Sequence, residues 1–407
     1  MQYEVILFTL FRTDNAYSSI SLSMAKELVK TGRVLYVNHP YSWKDLLRGI
    51  LRRDPALLKR LPGLLLFQNT YETLDTIPER FTAVTPPPTL PINWLPPGRV
   101  YRFFQDLNNR IVLNAIRRAA RKYGIGRFVY LNCYDPFFAG YLSPETGAVC
   151  SIYHCIDDIS QDPYTARHGL RLENEACAQA DITLVTSTNL YHLKKTVARR
   201  VEHFFNAADV SVFQRVLNET FSRPPELGDR PGQVIGFIGN LDALRIDYAL
   251  LHKIALAFPD KTLLLVGPLN SKEPEQTGLI RLPNVVLTGA RRLDELPALL
   301  QHMDCVLIPF LCNTLTYSIY PLKINEYLAA GKPVVSTTFS EDIRTFANCC
   351  YLAENHDLFL HGIQQALAEN DPALTALRTA TAAANTWEAR IKHLQKLVDA
   401  VVVNDER

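Results

Sequence analysis

The sequence predicts an α/β fold made of two halves that each contain a parallel β-sheet, because short apolar runs alternate with amphipathic helical patterns along its 407 residues. Helical patterns such as Ser19–Lys30 and Asn108–Tyr123 lie between most of these runs. The predicted strands of the first half are Glu4–Phe11, Val34–Asn38, Leu64–Phe67, Phe128–Cys133, Val149–His154, Ile182–Thr186 and Glu202–Phe205. Those of the second half are Gln233–Ile238, Thr262–Val266, Val285–Thr288, Cys305–Pro309 and Pro333–Ser336. Ligands bind at the carboxyl ends of such strands.

The segment Asn218–Gly232 is polar and rich in proline and glycine, as linkers are. We therefore predict an N-terminal domain at residues 1–217, a linker at 218–232 and a C-terminal domain at 233–385, both domains Rossmann-like. The final segment, Thr386–Val402, has the pattern of an amphipathic helix.

The composition is that of a soluble globular protein, with 47% apolar and 21% charged residues. The net charge of +2 argues against a dedicated nucleic-acid binder. The sequence has no apolar run of membrane-spanning length, and its start lacks the basic region of a signal peptide. The eight cysteines form no C-x-x-C pair, which argues against zinc and predicts buried free thiols. A cytoplasmic location fits these features best.

Tyr317–Thr337 is the most informative stretch of the chain. Pro321 suits the start of a helix and Gly331 its end, which places Lys323 at the N-terminus and Glu326 one turn further on. A helix N-terminus attracts phosphate, and a carboxylate nearby can accept hydrogen bonds from a ribose diol. The two side chains therefore suit a nucleoside diphosphate. A lone K-x-x-E is also common on ordinary amphipathic helices.

This stretch, P-L-K-x-x-E-Y-L-A-A-G-K-P-V-V, resembles the donor-binding segment of GT-B glycosyltransferases, particularly family 4 and related bacterial glycan-biosynthesis enzymes of the xanthan glucuronosyltransferase type. Further matches follow the family's order at Glu173–Ser187, Asn206–Phe213, Val234–Leu241, Leu264–Pro268, Asn284–Gly289 and Asp304–Phe310. The resemblance covers about residues 150 to 340. It implies two domains that face a cleft, with the last helix (386–407) packed back on the N-terminal domain. It also implies transfer of a sugar from a nucleotide sugar, in this case UDP-linked, to a hydroxyl of a glycan or lipid-linked glycan.

The candidate donor site lies in the second half. We expect Lys323 to bind the diphosphate, Glu326 the ribose, and Tyr317 or Ser318 phosphate or sugar. Glycines at the ends of strands let the backbone approach a phosphate or base, and the candidates are Gly236, Gly239 and Gly289. Arg245 could bridge the diphosphate or be a surface residue, and Tyr320 could be core. The chain has no D-x-D pair, so we expect no catalytic metal and no cofactor besides the donor.

The catalytic base is predicted at Asp157 or Asp158, just after a strand, with Asp157 favoured. Family 4 enzymes usually carry E-x7-E, but here Ser318, eight residues before Glu326, stands at the position of the first glutamate. This departure favours the inverting mechanism of those relatives that use an N-terminal-domain carboxylate. His154 is a rival base, and either aspartate could instead cap the next helix.

The acceptor side is predicted in the N-terminal half. Asp14 and Tyr17 could contact the acceptor, whereas Ser18 and Ser19 more simply cap a helix. The segment Trp43–Arg60 is basic and amphipathic, which predicts either contact with an anionic membrane surface, peripheral on the inner face of the plasma membrane, or a core-packed helix with solvated charges. The proline-rich loop Pro86–Gly98 carries Trp94 and would suit a lipid-linked acceptor.

Two other functions are compatible with the same motifs. A GT-B nucleotide-sugar 2-epimerase would share the diphosphate site without needing a membrane face. A non-catalytic GT-B scaffold that partners another transferase would be expected to lose Lys323 and Glu326, and both are present.

Overall fold

A computed structural model describes residues 3–14, 19–75, 77 and 79–405 of the chain. Contacts divide the chain into two compact units. The first unit comprises Met1–Thr186, Leu190–Phe204 and Arg390–Arg407, and the second comprises Ser187–Asn189 and Phe205–Ala389.

The first unit is built on a sheet with the strand order β3-β4-β2-β1-β5-β6-β7-β8, in which every pair is parallel except β3–β4. Its strands are β1 Glu4–Thr9, β2 Val34–Asn38, β3 Thr70–Glu72, β4 Phe81–Thr85, β5 Phe128–Cys133, β6 Ala148–Cys155, β7 Ile182–Val185 and β8 Val201–His203. Its helices are α1 Ile20–Leu28, α2 Trp43–Leu51, α3 Pro55–Leu65, α4 Arg99–Lys122, α5 Pro163–Gln179, α6 Thr188–Lys194, whose first two residues group with the second unit, and most of the last helix, Trp387–Asp405.

Apolar residues on both faces of the central strands form the core of the first unit. Ile6 of β1 lies in register with Leu35 on one side and Tyr130 on the other, and all three side chains are buried. Continuous apolar strands of this kind are typical of parallel sheets, whose two faces are both covered by helices. Ser19 caps α1 by accepting a hydrogen bond from the Leu22 N–H, as expected for that residue.

The second unit has an all-parallel sheet with the strand order β11-β10-β9-β12-β13-β14. Its strands are β9 Val234–Ile238, β10 Thr262–Val266, β11 Val285–Gly289, β12 Cys305–Ile308, β13 Val334–Thr337 and β14 Tyr351–Ala353. Its helices are α7 Val210–Asn218, α8 Tyr248–Ala257, α9 Glu273–Gln276, α10 Leu296–Gln301, α11 Thr314–Tyr317, α12 Leu322–Ala329, α13 Glu341–Arg344, α14 His356–Ala368 and α15 Pro372–Ala383; the last helix of the chain is α16, Trp387–Asp405.

Two sequence predictions differ from the structure. Leu64–Phe67 is not a strand: Leu64 and Leu65 end α3, whose buried Leu57 and Leu64 have helical spacing, and the next strands are β3 and β4. The boundary between the units lies at residues 204 and 205, not at 218–232. The proline- and glycine-rich segment belongs to the second unit because Leu227 is buried in its core together with Phe213 of α7.

Three further features concern the cysteines, the helices and the end of the chain. Seven of the cysteines are buried free thiols, and Cys312 is exposed. No helix in the described part of the chain combines the length and apolarity needed to cross a membrane. Residues 390–407 group with the first unit.

Candidate functional site

Three glycines meet at the carboxyl ends of β9, β10 and β11. The Gly239 N–H donates to the Val266 carbonyl (2.8 Å), and the Gly267 N–H donates to the Gly289 carbonyl (3.0 Å). Gly267 has a φ of +146°, and a Cβ there would lie only 1.8 Å from the Gly239 carbonyl oxygen. The backbones therefore approach more closely than any side chain would allow. Gly267 was not among the sequence candidates, although it lies in the quoted Leu264–Pro268 segment.

Helix α12 lies at the same end of the sheet, because the buried Tyr327 hydroxyl accepts from the Ile238 N–H (2.8 Å), one residue before Gly239. On this helix Lys323 Nζ donates to Glu326 Oε2 at 2.8 Å. Pro321 is the N-cap residue, and no side chain caps the helix. The N-terminus thus offers backbone donors, a partly exposed ammonium group and a carboxylate within one turn, as a nucleoside diphosphate would require.

Tyr317 and Ser318 precede this helix but differ in exposure. Tyr317 is about half exposed, whereas Ser318 is fully buried and its hydroxyl accepts from Asn189 Nδ2 at 2.8 Å. Ser318 therefore holds α11 against the start of α6. Tyr320 is buried against Phe205, with ring centroids 5.1 Å apart, in agreement with the core alternative.

Arg245 lies in the loop after β9, beside the strand ends. Its Nε is buried without a hydrogen-bond partner among the described residues, and it lies 4.0 Å from Asp242 Oδ2. A buried donor without a partner costs free energy, so the guanidinium retains capacity for an anionic ligand.

Asp342 is a buried carboxylate that the sequence analysis did not identify. It accepts from both the backbone N–H (3.0 Å) and the hydroxyl (2.6 Å) of Thr188. These bonds tie residues 187–189 to the second unit, beside the Asn189–Ser318 contact. No local pattern indicates this pair, because its members are 154 residues apart.

In the first unit, Asp157 and Asp158 follow β6 but have different surroundings. Asp158 Oδ1 accepts from the Ser160 N–H (3.0 Å) and its Oδ2 from Gln161 Nε2 (3.0 Å), so it caps the short 3-10 turn Ile159–Gln161. Asp157 is half-buried. Burial, and then the charge of Asp157, raise the pKa of Tyr134, which places that phenol near the carboxylate.

The acceptor-side candidates His154 and Asp14 both make contacts within the first unit, and their role towards an acceptor stays a prediction. His154 is fully buried beside Cys133 and Phe204, and burial lowers its pKa to about 3. Asp14 Oδ2 accepts from Arg60 Nη1 (2.5 Å) and from the Tyr41 hydroxyl (2.8 Å). Burial alone would raise the pKa of Asp14, but Arg60, Tyr41 and Arg12 lower it overall. Tyr17 lies outside the described residues.

The segment Trp43–Arg60 forms α2 and part of α3, and its apolar face is exposed. Leu47 and Leu51 are 62% and 75% exposed, and Trp43 and Ile50 are also exposed. Helix α2 is therefore not a core-packed helix: its only buried side chain is Leu46. Arg60 does not belong to the exposed basic surface, because it is buried and paired with Asp14 and Glu72.

A His–Asp pair of the first unit was also missed by the sequence analysis. His39, after β2, lies with Nδ1 2.6 Å from Oδ2 of Asp135, which is fully buried after β5. The backbone N–H of Phe137 donates to the other carboxylate oxygen at 3.0 Å. The parallel strands β2, β1 and β5 end at one edge of the sheet, which brings together residues 96 apart in sequence.

A cavity of about 740 Å³ lies at the amino ends of the strands in the second unit's sheet, where β9, β12 and β13 begin. Lys332 lines it and donates to the carbonyls of Gln301 (2.9 Å) and Met303 (2.7 Å), and burial lowers its pKa to about 8. Because ligands of such sheets bind at the carboxyl ends, we place the site at the glycines and α12.

Comparison with known proteins finds a family match within the second unit. Residues 232–370 match the family model described as Glycosyl transferases group 1. TuaH of Bacillus subtilis (strain 168), whose name assigns it provisionally as a teichuronic acid biosynthesis glycosyltransferase, is 30% identical over 175 residues. That match covers 42% of this chain and 44% of TuaH, so it spans less than half of the relative's length.

Solved structures with similar folds extend over nearly the whole chain. Sucrose-phosphate synthase from Thermosynechococcus elongatus superposes with a TM-score of 0.66 at 16% identity, covering 99% of this chain and 100% of that one. Anabaena HepE in complex with UDP superposes with a TM-score of 0.64 at 14% identity, covering 98% and 100%. The predicted GT-B fold is confirmed by these superpositions.

Proposed function

The chain contains a group 1 glycosyl transferase domain within a GT-B fold, and from this premise we propose that it moves a sugar from a nucleotide sugar to a hydroxyl of a glycan or lipid-linked glycan. One observation carries the proposal. The hydrogen bond from the Ile238 N–H to the Tyr327 hydroxyl holds α12, which carries Lys323 and Glu326, beside the strand end at Gly239. This arrangement places a cationic side chain, an anionic side chain and the glycine-containing backbone that a phosphate can approach within the second unit.

The donor is a UDP-sugar in this proposal. Lys323 and the N-terminus of α12 bind the diphosphate, Glu326 binds the ribose, and the backbone near Gly289 contacts the base. A similar fold has been solved with UDP bound, which supports uracil as that base. Gly289 is exposed with a φ of +73°, and no atom lies within 4 Å of where its Cβ would be, so a planar base has room there.

Transfer is metal-independent in this proposal. The leaving diphosphate is stabilised by Lys323, by Arg245 and by the α12 dipole, in a sequence without a D-x-D pair. Turnover should therefore survive excess chelator, measured with and without added magnesium. Complete inhibition that magnesium reverses would overturn this part of the proposal.

Asp157 acts as the general base and the anomeric centre inverts in this proposal. Asp157 is half-buried after β6 and lies near the Tyr134 phenol, and it is the carboxylate that the sequence favours; Asp158 caps the 3-10 turn. A carboxylate in hydrogen-bond reach of the acceptor hydroxyl can take its proton as the new C–O bond forms.

The exposed apolar face of α2 contacts an anionic membrane surface in this proposal. Leu47 and Leu51 are exposed beside Arg52 and Arg53, which suits insertion of apolar side chains below anionic headgroups. Liposomes with anionic lipid should bind the protein in a salt-sensitive manner. Replacing Arg52 and Arg53 by Glu should abolish that binding. The control is Lys26→Glu, on the exposed side of α1, which should leave the binding unchanged. Unchanged binding after the charge reversal would contradict this contact.

A donor screen tests the main proposal. Release of nucleoside diphosphate from a panel of nucleotide sugars should occur with one UDP-sugar, and should rise when membrane extract supplies acceptor. Failure of every nucleoside diphosphate to bind in calorimetry would overturn the proposal. Conversion of the donor to an epimer without acceptor would instead identify a 2-epimerase.

A further inference from the structure

A pocket of about 280 Å³ lies wholly in the first unit and has no role in the donor site. Helix α2, the segment 89–94, α4 and the start of α5 surround it, and the ends of β2 and β5 close its base. Pockets for drug-sized ligands usually occupy about 300–1,000 Å³, so this one suits a single sugar ring with a small charged group.

Hydrogen bonds over long sequence distances fix the wall of the pocket. The Asn108 side chain bonds both the N–H (2.9 Å) and the carbonyl (3.0 Å) of Leu90. Asn93 Nδ2 donates to the Tyr164 carbonyl at 3.0 Å, and His168 Nε2 donates to the Leu95 carbonyl at 2.9 Å. A wall anchored in this way is pre-formed, which reduces the entropy that a ligand must offset.

His39 lies in the wall with one nitrogen engaged and the other available. Its Nδ1 faces the Asp135 carboxylate, which favours the tautomer with the proton on Nδ1 and leaves Nε2 as an acceptor. The structure gives Nε2 no hydrogen bond within the described part of the chain, and the side chain is about one quarter exposed. Nε2 can therefore accept a hydrogen bond from a hydroxyl in the pocket.

Two cations lie one turn apart at the rim. Lys44 and Arg48 are both exposed and line the pocket, and neither takes part in an ion pair among the residues described. Asp45, between them, is occupied by a capping box with Ser42. Trp94 lines the same rim and is 69% exposed, which offers a flat apolar face for a sugar ring.

We infer that this pocket binds the acceptor as a phosphorylated sugar: Lys44 and Arg48 hold the phosphate, Trp94 stacks on the ring, and His39 accepts a hydrogen bond from a ring hydroxyl. Asp135 is a positioning residue that orients His39. The inference rests on the proposed function, whose acceptor it narrows to a sugar that carries phosphate. The phosphate belongs either to a free sugar phosphate or to a lipid-linked sugar.

Calorimetry on the whole chain with three hexose 1-phosphates (glucose, galactose and N-acetylglucosamine) tests the inference. At least one should bind, and the double change Lys44→Ala with Arg48→Ala should weaken that binding at least tenfold, since charge-assisted bonds to phosphate are lost. Trp94→Ala should also weaken it. Arg52→Ala is the matched control, because Arg52 is exposed on the next turn without lining the pocket.

The His39 assignment has its own measurement. His39→Gln should weaken binding at least fivefold, and in the wild-type protein the ¹⁵N resonance of Nε2 should shift when the sugar phosphate is added. Asp135→Asn should reduce that shift while the protein keeps its melting transition. No change in affinity for His39→Gln, or no shift of Nε2 on binding, would overturn this role.

The source of the phosphate is distinguished by an octyl ester of the hexose 1-phosphate that binds. If the ester binds more tightly than the hexose 1-phosphate, and the double change Leu47→Ser with Leu51→Ser removes this difference, the acceptor is lipid-linked. If the two ligands bind equally tightly, the acceptor is a free sugar phosphate. Inorganic phosphate binding as tightly as the sugar phosphate would overturn the inference, as would failure of all three hexose phosphates to bind. UDP binding, measured on the same samples, separates that failure from a failure of the proposed function.

Discussion

The two units build their candidate sites from different chemical groups. In the second unit the site consists mainly of main chain: three glycine strand ends and a helix N-terminus, with the Lys323–Glu326 ion pair and the Arg245 side chain nearby. In the first unit the pocket consists of side chains from distant segments, such as His39 and Asp135. A main-chain site depends on close backbone approach and cannot easily change its ligand. A side-chain site can change specificity by substitution without altering the fold.

The strongest test of the main-chain site is Gly267→Ala. The new Cβ would collide with the Gly239 carbonyl and require a φ of +146°, so we expect the free energy of unfolding to fall by about 3 kcal/mol or more. Gly278→Ala is the matched control, since its φ is +76° with open space around the Cβ position, and it should cost about 1–2 kcal/mol. Equal losses in urea denaturation would show that close approach at Gly267 does not matter.

The base in the first unit should depend on one side chain. Asp157→Asn should lower turnover by about 10²-fold or more and leave donor affinity nearly intact. Asp158→Asn should keep the cap, because asparagine caps about as well as aspartate, and should have a smaller effect on turnover. NMR of the product should show an inverted anomeric configuration. A retained configuration, together with an active Asp157→Asn variant, would support the retaining mechanism.

The ion pair between Lys323 and Glu326 can be removed without disturbing the glycines. Lys323→Ala and Glu326→Ala should each weaken UDP binding by about 1.5–3 kcal/mol in calorimetry, because a charge-assisted contact is lost. Lys253→Ala is the control, since that lysine pairs with Asp357 on the surface of the same unit. Normal UDP binding by both site variants would mean that the donor site is misplaced.

The buried His154 of the first unit should make the stability of the protein depend on pH. His154 has its pKa lowered from 6.5 to about 3, so below pH 6.5 the unfolded chain takes up a proton that the folded chain does not. Stability should therefore fall as pH falls through this window, by about 1.4 kcal/mol per pH unit from this group. His154→Leu should flatten the dependence between pH 6 and 4.5, measured by urea denaturation at several pH values. An unchanged slope in His154→Leu would show that the imidazole is not the source.

Local patterns in the sequence predicted the strands and the donor helix well. Val34–Asn38, Phe128–Cys133 and Thr262–Val266 are strands with the predicted bounds, because a buried parallel strand is an unbroken apolar run. Lys323 and Glu326 lie three residues apart, so a single helix is enough to bring their side chains into contact. Leu64–Phe67 was predicted wrongly as a strand, because a short apolar run at a helix end looks like a strand.

Contacts between distant residues were not predictable from local patterns. The partner of Asp14, Arg60, lies 46 residues away in sequence, and only the fold brings the two together. The same holds for His39 and Asp135, whose pairing depends on the strand order. Capping of the 3-10 turn by Asp158 was a local alternative and could be foreseen.

The hydrogen bonds from Thr188 to Asp342 have a consequence for exchanging halves between related enzymes. The chain passes from one unit to the other at residues 186/187, 189/190, 204/205 and 389/390, and residues 187–189 group with the second unit. A chimera joined at a single point near residue 205 would therefore take Thr188 and Asn189 from one parent and Asp342 and Ser318 from the other. Such hybrids should succeed only when both parents keep these two contacts, so the compatibility of a parent can be checked at four positions before any gene is made.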